Sequence, residues 1–463
     1  MHATSRSTLV FSLLPLLFLA SSEAACSDSG DTPTPTPTDA GSDGSFDAGD
    51  MGADETIADS GRPDLGPDLG TDGADTSPID TGVIDTGKPD VGSDGDAADA
   101  PVDGGTAADC LPTTGATGLD AFFTLMDSSK CVVAQYDAPV GFLGAATWGK
   151  HGGPLSFDSA TAPTLVRWSV PSAVTGSLTA TRIALTVPGV PSGAFWGSQA
   201  LDLPFFDWTA ISYSTSSGGF AGEVILVSTA TSTPGALTRY DVDGYFSEGG
   251  TSLAATSGRL LYTGLSPLMK TASSTNVGGL YAADTCGTAS APRLTADGDA
   301  TCKDPIMVST WSSGSSGPLA IDARGDVFAI LSKFGGDQEL QGFEASMVAR
   351  SAAATTGTKL FAIPGFTSEM AADGRAVYFQ PIDPTTFASQ DVQRVRYAVD
   401  AAGKKVTPDA AGVETFLKLK TPGTAVALLT DPSGKLWVSV SQPGAGDAGP
   451  TTTRLFVLRD KTP

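Results

Sequence analysis

"AIDARGDVFAIL" (320–331), "MAADGRAVYFQP" (370–381) and "LLTDPSGKLWVSV" (428–440) share one order: an apolar run, an aspartate, a glycine, then a second run rich in β-branched and aromatic residues. Asp322 to Gly325 and Asp431 to Gly434 place Asp first and Gly fourth, as type I turns favour, and Pro432 suits the second position. Apolar runs either side of such a turn read as β-hairpins. A looser copy stands in "AATSGRLLYTGL" (254–265).

The turn glycines Gly258, Gly325, Gly374 and Gly434 recur at intervals of roughly 50 to 70 residues, room for one four-stranded antiparallel sheet per interval. A second echo runs basic, aromatic, variable, valine: Arg167-Trp168-Ser169-Val170, Arg239-Tyr240-Asp241-Val242 and Arg396-Tyr397-Ala398-Val399. A repeated four-stranded unit suggests radial packing, in which each sheet buries its faces against its neighbours and closure hides the edges. The expectation is an all-β chain folded as a β-propeller. Strand pairs counted from Cys131, Val224, Leu260, Val327, Val377 and Leu436 make about six blades, and the first interval is long enough to hold another. Tandem β-sandwiches are the alternative. Only "GLDAFFTLMD" (118–127) invites a short helix.

The succession of apolar strand, D-x-x-G, apolar strand and Arg-aromatic strand resembles the NHL and lactonase-type propeller repeats, over residues 125–460. In sugar lactonases of that type a metal sits on Glu, Asn and Asp at the central channel. This chain has one asparagine, Asn276, so it departs from that ligand set.

Outward from the repeats, the chain begins with a polar segment carrying Arg6, the apolar run Leu9 to Ala20, and small residues up to Cys26. That is the order of a secretory signal peptide over 1–25, and the run falls short of the ~20 apolar residues a membrane span needs. Ala24, Ala25 and Cys26 resemble the lipid-accepting site of bacterial lipoproteins, although Glu23 stands where that family usually has an apolar residue. The resemblance implies an acyl anchor on Cys26, and Ser27 after it implies sorting to the outer membrane. Cleavage after Ala24, releasing a soluble secreted protein, is the alternative.

An odd cysteine in an exported chain demands a reason. With Cys26 set aside, Cys110, Cys131, Cys286 and Cys302 form two sequence-local couples. Loop-closure entropy favours Cys110 with Cys131 and Cys286 with Cys302, each loop worth about 3 kcal/mol. Structural zinc is the rival, but its C-x-x-C spacings are missing.

Between residues 26 and 109 acidic residues outnumber Arg62 and Lys88 about tenfold, so most of the net charge of -24 lies there. So little apolar surface cannot offset the ordering entropy, and the segment is expected to be a disordered tether with an r.m.s. span of roughly 50 Å or more. The region 110–463 is then left mildly acidic, which excludes nucleic-acid and anionic-lipid partners for want of a basic footprint. Carboxylates in "TDGAD" (71–75) and "SDGD" (93–96) suit weak calcium binding, but no complete Asp-rich calcium loop is present.

Catalytic signals are sparse. Beyond the leader there is one histidine, His151, and no G-x-S-x-G elbow. "GAATWGKH" (144–151) imitates a phosphate loop, but His151 replaces the needed Ser/Thr and "GGP" follows where a helix belongs. The same loop sets Trp148, Lys150 and His151 as candidate ligand contacts. "GAFWGSQALDLPFFDWTAISY" (193–213) offers Trp196 and Trp208 as stacking platforms for glycans if exposed, with Asp202 and Asp207 taking sugar hydroxyls; burial makes the rings core instead.

The expected protein is a monomeric, cell-envelope lipoprotein, held to a membrane only by its lipid. It presents a non-enzymatic propeller-like domain to a protein or glycan, without a cofactor. The alternative is a propeller hydrolase or lyase whose carboxylates, drawn from Asp202, Asp207, Asp322 and Asp373, line the channel with or without calcium.

Overall fold

The computed structural model describes residues 110–112 and 119–461, apart from stretches between strands such as 139–145, 204–207, 229–244, 265–278 and 295–305. The leader, Cys26 and the acidic tether lie outside the described residues, as do Asp207, Cys302 and Arg239–Tyr240.

Six antiparallel sheets succeed one another along the chain. The first blade is Thr147–Gly149, Gly153–Asp158, Thr164–Ser169 and Thr179–Ala184, and the second Phe195–Asp202, Trp208–Ser214, Ala221–Ser228 and Tyr245–Glu248. The third is Leu253–Thr256, Arg259–Gly264, Gly279–Asp284 and Ile306–Thr310, and the fourth Ser315–Ile321, Val327–Ser332, Gln338–Phe343 and Thr358–Ile363. The fifth is Phe366–Ala372, Ala376–Ile382, Val392–Val399 and Val406–Leu419, edged by Phe123–Leu125. The sixth is Ala425–Thr430, Leu436–Gln442 and Thr452–Asp460, completed by Lys130–Ala138 from the start of the domain. First strands of neighbouring blades touch all round the ring, sixth against first included. The chain is a six-bladed β-propeller.

The count of six agrees with the repeat spacing, but one seed was misassigned. Cys131 does not open a blade. Its strand is the outer strand of the sixth, paired antiparallel with the C-terminal strand (Tyr136 opposite Leu455), and the long first interval conceals the first blade. Pairing the two ends of the chain removes the open edges that a linear row of sheets would leave. The expected helix over 118–127 is a single 3₁₀ turn, Leu119–Ala121, followed by a strand; Phe122 and Phe123 there pack edge-on against Phe456, with centroids 5.6 and 5.0 Å away.

The disulfide Cys110–Cys131 forms as expected, with Cα atoms 5.7 Å apart, and so ties the segment entering the domain to the closing strand. Cys286 is also disulfide-bonded.

Why the repeated turns form is visible in their backbones. Gly258, Gly325, Gly374 and Gly434 have φ of 89°, 87°, 88° and 79°, a region that side chains with a Cβ rarely enter. The last three of these turns also have an aspartate whose Oδ1 accepts backbone N–H groups that the hairpin leaves over. Asp322 takes those of Arg324 and Asp326 at 2.9 and 3.0 Å, Asp373 those of Arg375 and Ala376 at 3.0 Å each, and Asp431 those of Ser433 and Lys435 at 2.9 and 3.0 Å. The strands on either side bury apolar faces between blades, from Phe328, Ile330 and Val377 to Leu436 and Val438. No helix among the described residues is long and apolar enough to cross a membrane.

Candidate functional site

Polar contacts set the blades against one another. Thr147 Oγ1 donates to the Ala200 carbonyl at 2.6 Å, joining the first two inner strands. Thr263 Oγ1 donates to Gly317 at 3.1 Å between the third and fourth blades, and Gln380 bridges the fifth to the sixth through Thr424 O and Val426 N, each at 3.0 Å.

The second carboxylate oxygen of each turn aspartate holds a ring. Tyr397 Oη donates to Asp322 Oδ2 at 2.7 Å, reaching from the fifth blade to the fourth, while Arg324 donates to the same oxygen at 2.8 Å. Asp373 Oδ2 receives Tyr378 Oη at 2.7 Å and Lys130 Nζ at 2.7 Å, the latter from the strand that closes the ring. Asp431 Oδ2 accepts the Trp437 indole N–H at 2.9 Å. Burial, reinforced by the adjacent carboxylate, pushes the hydroxyls of Tyr378 and Tyr397 well above the ordinary phenol range.

Of the aspartates offered by the sequence as channel carboxylates, Asp322 lines the axial cavity and Asp373 is not among its lining residues; both are turn caps and inter-blade clamps with both oxygens occupied. Asp202 behaves alike: Thr209 Oγ1 donates to its Oδ1 at 2.5 Å and the Lys150 backbone N–H to its Oδ2 at 3.0 Å, locking the first blade's hairpin to the second blade. We expect Asp431→Ala to cost about 2–3 kcal/mol in denaturant unfolding, because it strands a buried indole N–H and two turn amides. With Trp437→Phe, which removes the donor together with part of a buried ring, the double variant is expected to lose less than the sum of the two single losses.

The aromatic candidates separate. Trp208 is 2% exposed, among Leu226, Tyr262 and Tyr281, so it is core and presents no face to a glycan. The side chain of Trp196 lies outside the described residues. Lys150 and His151 are exposed on the Gly149–Gly152 turn, which joins two strands where a phosphate loop would need a helix. Trp148 faces inward, its ring 5.0 Å from that of Trp437. The Arg-aromatic motifs at 167 and 396 occupy corresponding third strands, and the second serves cohesion: Arg396 and Arg394 both pair with Glu414, and Arg394 also holds Asp127 and lies over the Phe416 ring.

Trp148 lines a cavity of about 350 Å³ on the propeller axis, to which every inner strand contributes: Thr147, Leu201, Leu253, Pro318, Glu369 and Leu428 are examples. Most of its lining side chains are aliphatic, but polar and apolar atoms share its surface evenly. Three carboxylates also line it, Asp322, Asp431 and Glu369, and the last is one that the sequence reading missed. It sits in a β-bulge: Thr367 pairs with Pro381 and Met370 with Phe379, so Ser368 and Glu369 together oppose Gln380. A bulge re-aims a side chain. The fourth blade has the same irregularity between Ser316 and Leu319, and there Pro318, four residues before its turn aspartate as Glu369 is before Asp373, lines the cavity. Gly317 permits that bulge, since a Cβ on it would stand 2.6 Å from the Ile330 carbonyl oxygen. The available sequence signal was one charged residue inside an otherwise uncharged strand, "FTSEMAA" (366–372).

Glu369 has no hydrogen bond or ion pair among the described residues, and burial alone pushes its carboxyl up to about 8. Among the described residues no three of His, Cys, Asp and Glu are grouped to hold a metal ion.

No protein-family model and no curated protein matches the chain. Among solved structures it is similar to the soluble aldose sugar dehydrogenase of Escherichia coli in its apo form, at 13% identity over 72% of this chain and 99% of that one, with a TM-score of 0.38. It is similar to a glucose dehydrogenase at 12% identity over 72% and 98%, TM-score 0.39. It is also similar to a gluconolactonase of Xanthomonas campestris, at 13% identity over 74% and 93% of the two chains, with a TM-score of 0.35.

Proposed function

We propose that the chain is an envelope-tethered ligand-binding protein whose propeller takes a small molecule into its axial cavity. The tether and lipid anchor rest on the sequence around Cys26 and the acidic tract. The observation that supports binding is the cavity itself: about 350 Å³, within the range of small-molecule sites, of mixed polar and apolar surface, with one carboxyl that has no protein partner among the described residues. The turn aspartates, Asp322 and Asp431 at the cavity included, are engaged in holding hairpins.

The test uses the full-length protein and a variant, Ala323→Trp, at an exposed position on the rim of the cavity. Glucose, N-acetylglucosamine, benzylamine and tyramine are titrated in thermal-shift measurements. At least one is expected to raise the midpoint of the native chain and to lose that effect in Ala323→Trp. No shift with any of them, or shifts indifferent to the variant, would remove the reading. Mass spectrometry of the mature terminus tests the anchor, with a diacylglyceryl group on Cys26 as the expected result.

One observation favours a second reading. A carboxyl that titrates near neutrality inside a cavity suits general acid–base work, so a propeller hydrolase or lyase would use Glu369 in place of the aspartates. Turnover lost in Glu369→Gln with binding retained would establish it.

A further inference from the structure

The charged side chains that line the axial cavity are Asp322, Glu369 and Asp431; no lysine, arginine or histidine is among the described lining residues. Asp322 is answered by Arg324 and Tyr397, and Asp431 by Trp437, Ser433 and two backbone amides. The first three blades bring no titratable side chain to the cavity among the described lining residues. Glu369 therefore stands alone among them as a carboxyl with no hydrogen-bonding or charged partner among the described residues, in a chamber whose other charges are both negative. Such a chamber repels anions. Trp148 adds an aromatic ring, and rings of this kind attract cations at their faces.

We propose that the cavity binds a small organic ammonium ion, its charge beside Glu369 and its apolar body against lining side chains such as Leu201, Leu253 and Leu428. This rests on the axial cavity being a ligand site, and it names the chemical class of the ligand. A metal ion is the poorer match, since it needs several oxygen ligands gathered together and the described carboxylates are not so grouped. An ammonium ion needs one carboxylate and a dry, fitted surround. Because Glu369 alone titrates near 8, a bound cation draws its carboxyl downward and expels a proton at neutral pH.

Isothermal titration of the full-length protein with benzyltrimethylammonium, whose charge does not vary with pH, tests the proposal; glucose and calcium chloride are the neutral and metallic probes. The expected affinity for the cation rises up to about tenfold per pH unit from pH 6 toward 8 and then levels. In Glu369→Gln it is expected to fall at least about tenfold at pH 8.5 and to lose its pH dependence. Far-ultraviolet circular dichroism establishes that the variant is folded, and Ala323→Trp, which leaves Glu369 in place, supplies an independent block.

A pH-independent affinity, or one unchanged in Glu369→Gln, overturns the proposal. So does calcium binding that Glu369→Gln abolishes while the organic cation fails to bind. If glucose binds, is blocked by Ala323→Trp and ignores Glu369→Gln, while the cation does not bind, the ammonium assignment falls and the ligand-binding reading stands. If none of the three probes binds and the wider thermal-shift set is also silent, both fall.

Discussion

Replacing Lys130 by methionine is expected to destabilise the propeller by about 3–5 kcal/mol, the usual cost of stranding one partner of a buried ion pair. Lys130 is 5% exposed and donates to Asp373 at 2.7 Å and Asp460 at 2.9 Å, so one ammonium joins the closing strand, the last strand and the turn of the fifth blade. The Asp373 side chain is 2% exposed and retains Tyr378 and two backbone amides after the change, but no cation. The ammonium also lies 5.8 Å from the Tyr378 ring centroid, a contact methionine keeps only as dispersion. Urea unfolding is the measurement. In Lys130→Met/Asp373→Asn, where neither charge is buried alone, much of the loss is expected to return. A single variant within about 1 kcal/mol of the native protein would show that closure depends on strand pairing and not on this clamp.

The second large effect concerns Glu369 and has the opposite sign. Its carboxyl titrates at the ordinary 4.5 when unfolded and at about 8 when folded. Between those values the folded state holds a proton that the unfolded state has lost, so stability falls as pH rises, by about 1.4 kcal/mol per unit at the steepest. Glu369→Gln removes that slope. The variant is expected to differ from the native chain by an amount that favours the variant increasingly from pH 4.5 upward, reaching about 4 kcal/mol by pH 8. Parallel stability curves for the two proteins across this range would mean that Glu369 is solvated in the folded state.

Asp127 works in the other direction and in another window. Burial opposes its charge, but hydrogen bonds from Ser129 and Arg394 outweigh burial and take it down to about 2. Its contribution is present above its unfolded value near 3.8 and is lost as pH falls toward 2. The two titrations therefore do not overlap.

What was legible in the sequence depended on how far each interaction reaches. An aspartate capping amides two to four residues away, and a glycine with positive φ beside it, leave their signature within one turn; hairpins at 322, 373 and 431 were readable for that reason. Cys110 and Cys131, separated by 21 residues, were legible through loop entropy. The same local view misled in one respect. It recognised Asp322 as chemistry-bearing but could not see that Tyr397 would occupy its second oxygen, because Tyr397 belongs to a different blade.

By itself the sequence determined an all-strand domain of repeated four-stranded units, since apolar runs and the turn chemistry between them are local properties of the chain. Only the tertiary structure decided which strand closes the ring, that Trp208 is core, and that Glu369 faces the axis. Each of those depends on where strands far apart in sequence come to lie, and a cavity drawn from six separate blades has no signature in any one of them.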